Sequence, residues 1–301
     1  MMKVFLPVWG NVHINLFKDA LATSLKWPGN KRAVKGAEWI ILTYGEFNEK
    51  AIKEIILSID ETARIDFQIC PDLMCAGADK GPLLFNTLLY TIEKCLKDKE
   101  TLLMATPDYI YGDGTIERMK KVAGDKHAVS FAHMRVKKKA LSLLDNYETN
   151  ASLTSLGFMH PHKTWTDSEL THSPGITFWG GISWQWIDYG LAAVTHYLPA
   201  PFMVNFVESD LGFFKAKHEF PNDKLTFALW DHLFPTKLIQ EGRLRYIGSS
   251  DAACMIEVTE DDANIPPVNP EGKTNADGYV KEQMLQNLIL KQFVSVFRGE
   301  P

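Results

Sequence analysis

Short apolar, β-rich runs alternate with amphipathic stretches through the first half of the chain, and this alternation restricts the fold more than any other feature. Residues 3–8 read as a strand, then Trp9-Gly10-Asn11 as a loop, then residues 12–27 as a helix carrying Ile14, Phe17, Leu21 and Leu25 at helical spacing. Pro28-Gly29-Asn30 is expected to end that helix. Residues 38–43 form a second strand, and a helix opening at Asn48 buries Ala51, Ile52, Ile55, Ile56 and Ile59. A third strand over 64–70, a helix over 82–98, a fourth strand, a short helix over 114–121 and a fifth strand over 127–132 continue the pattern. Strands joined by helices cannot pair as tight hairpins, so the expected fold class is α/β, a mostly parallel sheet with helices on both faces.

The fourth strand leads into the stretch Leu102-Leu103-Met104-Ala105-Thr106-Pro107-Asp108-Tyr109-Ile110-Tyr111-Gly112-Asp113-Gly114. The apolar run stops at Pro107 and sets Asp108 just past the strand's end, where open α/β sheets bind ligands. Asp108 and Asp113 are the strongest acidic pair in the chain. At Asp108 a carboxylate is suited to Mg²⁺ or Mn²⁺ shared with a diphosphate, whereas Asp113 by itself reads first as a cap of the helix that follows and second as a partner ligand.

Beyond residue 135 the pattern changes. Residues 141–144 read as helical, and 150–186 as an irregular region rich in His, Trp, Thr and Ser, of the sort that walls a site. His160-Pro161-His162 reads either as a surface pair or as ligands for a metal or phosphate. The run Phe178-Trp179-Gly180-Gly181-Ile182-Ser183-Trp184-Gln185-Trp186 reads as buried anchors or as faces for stacking. Residues 225–240 read as helical and contain Asp231, one of three isolated acids with Asp210 and Asp251 that could serve as a general base. Residues 245–251 read as a late strand and turn, 261–277 as an exposed acidic, proline-rich arm, and 279–297 as a final amphipathic helix.

Several function classes are excluded or weakened. No Gly-x-x-x-x-Gly-Lys-Ser/Thr, Gly-x-Gly-x-x-Gly or Gly-x-Ser-x-Gly pattern occurs, which removes the main support for P-loop, dinucleotide and serine-hydrolase chemistry. The formal net charge of −5 argues against broad nucleic-acid binding, and Arg135-Val136-Lys137-Lys138-Lys139 reads as a solvated basic turn or a local phosphate-tracking patch. Cys70, Cys75, Cys95 and Cys254 read as free thiols, and no run approaches the roughly 20 apolar residues of a membrane span. A cytoplasmic location is the expectation.

Phe5-Leu6-Pro7-Val8-Trp9-Gly10, Pro28-Gly29-Asn30, Pro107-Asp108 with Gly112-Asp113-Gly114, Trp230-Asp231 and Ser249-Ser250-Asp251 together resemble bacterial and phage glycosyltransferase-like proteins of GT-A type. The resemblance runs from residue 3 to about 257. It implies a nucleotide-sugar-binding half over 1–135, an acceptor-side half of the same domain over 136–260, and an arm with a C-terminal helix over 261–301. Pro7, Val8, Trp9, Gly10, Thr43 and Tyr44 would then meet the nucleotide. Asp108 would hold Mg²⁺ or Mn²⁺ on the diphosphate, with Asp113 assisting, although the family's paired acids stand two apart and these do not. His160, His162, Trp184 and Trp186 would wall the acceptor side, and Asp231 would be the acceptor base. The partners implied are a nucleoside diphosphate sugar and an acceptor, either a surface glycan or a modified base in DNA. A non-catalytic nucleotide-sugar-binding protein and a metal-dependent hydrolase built on His160 and His162 are the alternatives.

Overall fold

The structure is a computed structural model and describes residues 1–44, 46–70, 81–162, 182–188, 191–196, 199–218, 229–260 and 293–299. Strand β1 (Met2–Pro7) leads into a helical run made of α1 (Gly10–Leu16), a π-helical turn (Phe17–Leu21) and α2 (Ala22–Lys26). Trp27 is extended at ψ 143°, as the residue before a proline tends to be, and Pro28 then opens α3 (Pro28–Val34). Pro28-Gly29-Asn30 therefore begins a helix as well as ending one. The alternation continues through β2 (Glu38–Tyr44), α4 (Glu46–Ile59), β3 (Arg64–Cys70), α5 (Gly81–Asp98) and β4 (Thr101–Met104). Next come β5 (Tyr109–Tyr111), α6 (Thr115–Ala123), β6 (Ala128–Phe131), β7 (Met134–Lys137), a 3-10 helix (Lys138–Asn146) and α7 (Asn150–Met159). The second half holds β8 (Ile182–Asp188), β9 (Leu191–His196), β10 (Met203–Val204) and α8 (Glu208–His218). A π-helical turn (Leu229–Leu233), α9 (Phe234–Gln240), β11 (Leu244–Ile247), β12 (Met255–Thr259) and β13 (Phe293–Arg298) complete it.

Seven strands form the main sheet in the order β11-β6-β10-β4-β1-β2-β3. All neighbours are parallel except β10, which runs antiparallel to both β4 and β6. Helices cover both faces, as the alternating pattern requires. One face packs Phe17, Leu21, Leu25, Ile52, Ile56, Ile116 and Met119 against Val4, Trp39 and Ile41. The other packs Phe85, Leu88, Ile92, Phe214 and Leu238 against Phe5, Ile40 and Leu42. Successive residues of β1 and β2 thus feed opposite cores, which is why these strands read as continuous apolar runs.

At the amino ends of the central strands Lys3 is fully buried, and its Nζ lies 2.6 Å from Glu38, 2.7 Å from Asp98 and 2.8 Å from Glu100. A buried ammonium is tolerable only with such partners. Cys95 and Cys254 are free and buried, while Cys75 lies outside the described residues.

Two smaller sheets flank the main one, in the orders β5-β12-β7 and β13-β9-β8. Three expectations change here. Residues 150–159, read as irregular, form α7, whose cap is the Thr149 hydroxyl accepting the Ser152 amide at 3.0 Å. The basic run Arg135 to Lys139 is strand β7 and the start of the 3-10 helix rather than a turn. Residues 293–297, assigned to a C-terminal helix, lie in β13, where buried Phe297 follows Val296, 37% exposed, in the two-residue alternation of a strand. The arm over 261–277 and residues 279–292 lie outside the described residues. Among the described residues no helix is long and apolar enough to cross a membrane.

Candidate functional site

Because β1, β2 and β4 are parallel, the segments that follow them meet at one edge of the sheet. Asp108 stands on this edge, four residues beyond the end of β4 at Met104. Its position is fixed from two sides. The Asp108 carbonyl accepts the Val258 amide at 2.9 Å, the Tyr109 amide donates to the Thr106 carbonyl at 3.2 Å, and the Thr106 hydroxyl donates to the Asp108 carboxylate.

The β5-β12-β7 sheet brings three further side chains to this acid. Glu257 on β12 pairs in register with Tyr109 on one side and Arg135 on the other. Strand alternation sends their neighbours Ile110, Met134 and Ile256 into the core, leaving Tyr109, Glu257 and Arg135 on the opposite face. Arg135 grips Glu257 at two points, Nη2 to Oε1 at 3.0 Å and Nε to Oε2 at 3.1 Å. His133, just before β7, places Nε2 3.1 Å from Glu257 Oε2. Its ring packs against Phe202 at 5.7 Å and Tyr109 at 6.4 Å, and its buried Nδ1 meets no hydrogen-bond partner among the described residues.

The electrostatics separate the two carboxyls. Burial opposes the charge of Glu257, but Arg135 and His133 outweigh it and hold the group down at about 2. Burial and then the negative charge of Glu257 push Asp108 up to about 7, against weaker pulls from the Thr106 hydroxyl and Arg135. Asp108 is therefore an acid poised to exchange its proton near neutrality, beside one that stays ionised.

The residues expected to meet a nucleotide lie at the ends of β1 and β2 on the same edge. The Val8 amide extends the ladder past Pro7 by donating to the Leu42 carbonyl at 2.9 Å. Gly10 follows Trp9 in the left-handed region at φ +70°, and a Cβ there would lie 3.4 Å from the Tyr44 hydroxyl, so the glycine allows both the turn and the approach. Thr43 is buried, and its hydroxyl has no partner among the described residues.

Other expected site residues have different surroundings. Asp113 Oδ1 accepts the amides of Gly29 and Asn30 at 2.7 and 3.1 Å, so it caps the start of α3 rather than the helix that follows it. His160 and His162 flank a bridge between Pro161 and Val136 that extends the β7 edge. His162 is fully buried, with Nε2 3.2 Å from the Glu260 carbonyl. Trp184 and Trp186 are on β8 and Asp231 is in the π-helical turn, but their side chains fall outside the described residues.

No protein-family model matches the chain, and no curated protein matches it. Solved structures do match. One is mouse Xyloside xylosyltransferase 1 in its apo form, with 8% sequence identity and a TM-score of 0.29 over 44% of this chain and 52% of that one. The matched part is about half the length of that enzyme.

Two places could hold a cation. Glu38, Asp98 and Glu100 bring one carboxylate oxygen each within 4.8 Å of one another, but the Lys3 ammonium stands among them at the amino edge, opposite Asp108. At the carboxyl edge, Glu257 is committed to Arg135 and His133 and Asp113 to two amides. Asp108 is left matched with a hydroxyl. A single carboxylate beside a second negative charge fits Mg²⁺ or Mn²⁺ completed by phosphate oxygens and water. Glu257, His133 and Arg135 are not legible as neighbours of Asp108, because only the pairing of β12 with β5 and β7 gathers them, whereas Thr106 meets Asp108 through the local turn between them.

Proposed function

We propose that this protein transfers a sugar from a nucleoside diphosphate sugar to an acceptor hydroxyl, as the resemblance of its motifs to GT-A glycosyltransferases suggests. The observation that carries the reading is Asp108, held at the carboxyl edge of a mostly parallel sheet beside an anchored Glu257-Arg135 pair. The Pro7 to Gly10 turn, Thr43 and Tyr44 would take the nucleotide. Asp108 would hold Mg²⁺ or Mn²⁺ on the diphosphate, where the ion neutralises charge that develops on the leaving group. Arg135, already balanced by Glu257, keeps the edge from becoming wholly acidic. His160, Trp184 and Trp186 would face the acceptor, a surface glycan or a modified DNA base.

The test is a series of UDP-, GDP- and other nucleoside diphosphate sugars, each with and without Mn²⁺, followed by melting temperature and by release of diphosphate nucleotide. A melting shift with one donor that Asp108→Ala abolishes supports the reading. No shift and no release with any donor overturns it.

A further inference from the structure

We propose that His133, oriented by Glu257, is the base that takes the proton from the acceptor hydroxyl, an assignment that rests on the transfer reading above. Three placements carry it. Strands β4 and β6 both run antiparallel to β10, so they are parallel to each other, and His133, two residues past the end of β6, emerges on the same edge as Asp108. Glu257, ionised and fixed by the Arg135 fork, accepts from His133 Nε2, which assigns the proton of the neutral ring to Nε2 and the lone pair to Nδ1. That Nδ1 is buried and has no partner among the described residues, an arrangement proteins avoid unless something else completes it.

An acceptor hydroxyl would complete it. Of the two rings against the imidazole, Phe202 is buried whereas Tyr109 is half-exposed and follows Asp108 in the chain. In the transfer, the acceptor O–H bond breaks and its proton goes to His133 Nδ1. The acceptor oxygen forms a bond to the anomeric carbon, and the bond from that carbon to the diphosphate breaks, its electron pair leaving with the nucleoside diphosphate. The positive charge gained by His133 is met by Glu257. Because one displacement occurs, the product has the inverted anomeric configuration.

His133→Gln keeps an N–H for Glu257 and removes the base. With the donor and acceptor that the wild type uses, it is expected to lower kcat on the order of 100-fold with the donor KM within about threefold. His133→Ala is expected to regain activity with added imidazole. Nitrogen NMR of the wild-type protein, which needs no activity, is expected to show the His133 proton on Nε2. A His133→Gln variant with wild-type kcat, a product of retained configuration, or a proton on Nδ1 overturns the assignment while leaving sugar transfer standing. A wild type that transfers from no donor overturns both.

Discussion

Glu257 stands close enough to Asp108 for its charge to raise the proton affinity of Asp108, while its own charge is secured by Arg135 and His133. The two acids therefore affect stability with opposite signs. For Asp108 the folded protein holds the proton to about pH 7, whereas an unfolded chain releases it near 4, so this group costs stability as pH rises from about 4 to 7. Asp108→Asn removes that cost. It is expected to raise stability on the order of 1–2 kcal/mol at pH 8, to change little at pH 4, and to abolish transfer. Melting curves at the two pH values check this, and an Asn variant no more stable at pH 8 than at pH 4 relative to wild type would contradict it.

Glu257 works the other way. Its folded group is lowered to about 2, so its contribution is present above about pH 4.5 and is lost as pH falls toward 2. Arg135→Ala strips the fork from a half-buried carboxylate and is expected to destabilise by about 2–4 kcal/mol at pH 7, and by less at pH 3, where Glu257 can take a proton. Denaturant unfolding at both pH values is the measurement. An equal loss at both would mean that Arg135 acts through packing alone.

What the sequence shows and what it hides divides along local and long-range order. Leu102-Leu103-Met104 followed by Pro107-Asp108 is a local signal, a strand end with an acid, and Asp108 is where that signal puts it. Glu257 carries no such mark. Glu257 and Thr259 are the polar members of Met255-Ile256-Glu257-Val258-Thr259, an alternation that any half-buried strand shows, and only the registers of Glu257 with Tyr109 and Arg135 give it a neighbour of consequence. Residues 150–159 gave no helical stripe because Leu153, Thr154, Leu156 and Gly157 are all buried, so polar and apolar positions do not separate by face. Asp113 was ambiguous between ligand and cap because both uses need an acid at a turn; the distant amides of Gly29 and Asn30 decide it.

The capping role of Asp113 gives a prediction that separates it from Asp108. Asp113→Ala frees two amides at the start of α3 and is expected to cost about 1–2 kcal/mol, with nucleotide-sugar and Mn²⁺ affinities unchanged once the folded fraction is allowed for. Calorimetric titration of the variant with Mn²⁺ and the preferred donor tests it. A tenfold loss of Mn²⁺ affinity at full folding would make Asp113 a ligand.

Lys3 offers the sharpest test of what the acidic cluster at the opposite edge is for. In the wild type its ammonium sits between Glu38, Asp98 and Glu100; burial opposes the charge of Glu38, but Lys3 and Lys94 together outweigh it and hold Glu38 low, and the hydrogen bond from Lys3 is the main cause that lowers Asp98. Both acids thus add stability above their ordinary range and lose it as pH falls. Lys3→Met keeps the bulk and removes the charge, leaving Asp98 and Glu100 beside a Glu38 that only Lys94 still balances. It is expected to destabilise by about 3–5 kcal/mol at pH 7 and by much less near pH 4, where the acids can be neutralised by protons. With the ammonium gone, the same three oxygens, within 4.8 Å of one another, become able to chelate. Millimolar Ca²⁺ is then expected to raise the melting temperature of the variant more than NaCl of equal ionic strength, while leaving the wild type unmoved. A variant indifferent to Ca²⁺ would show that the carboxylates spread apart once Lys3 is lost, and a wild type that responds equally would place the ion elsewhere.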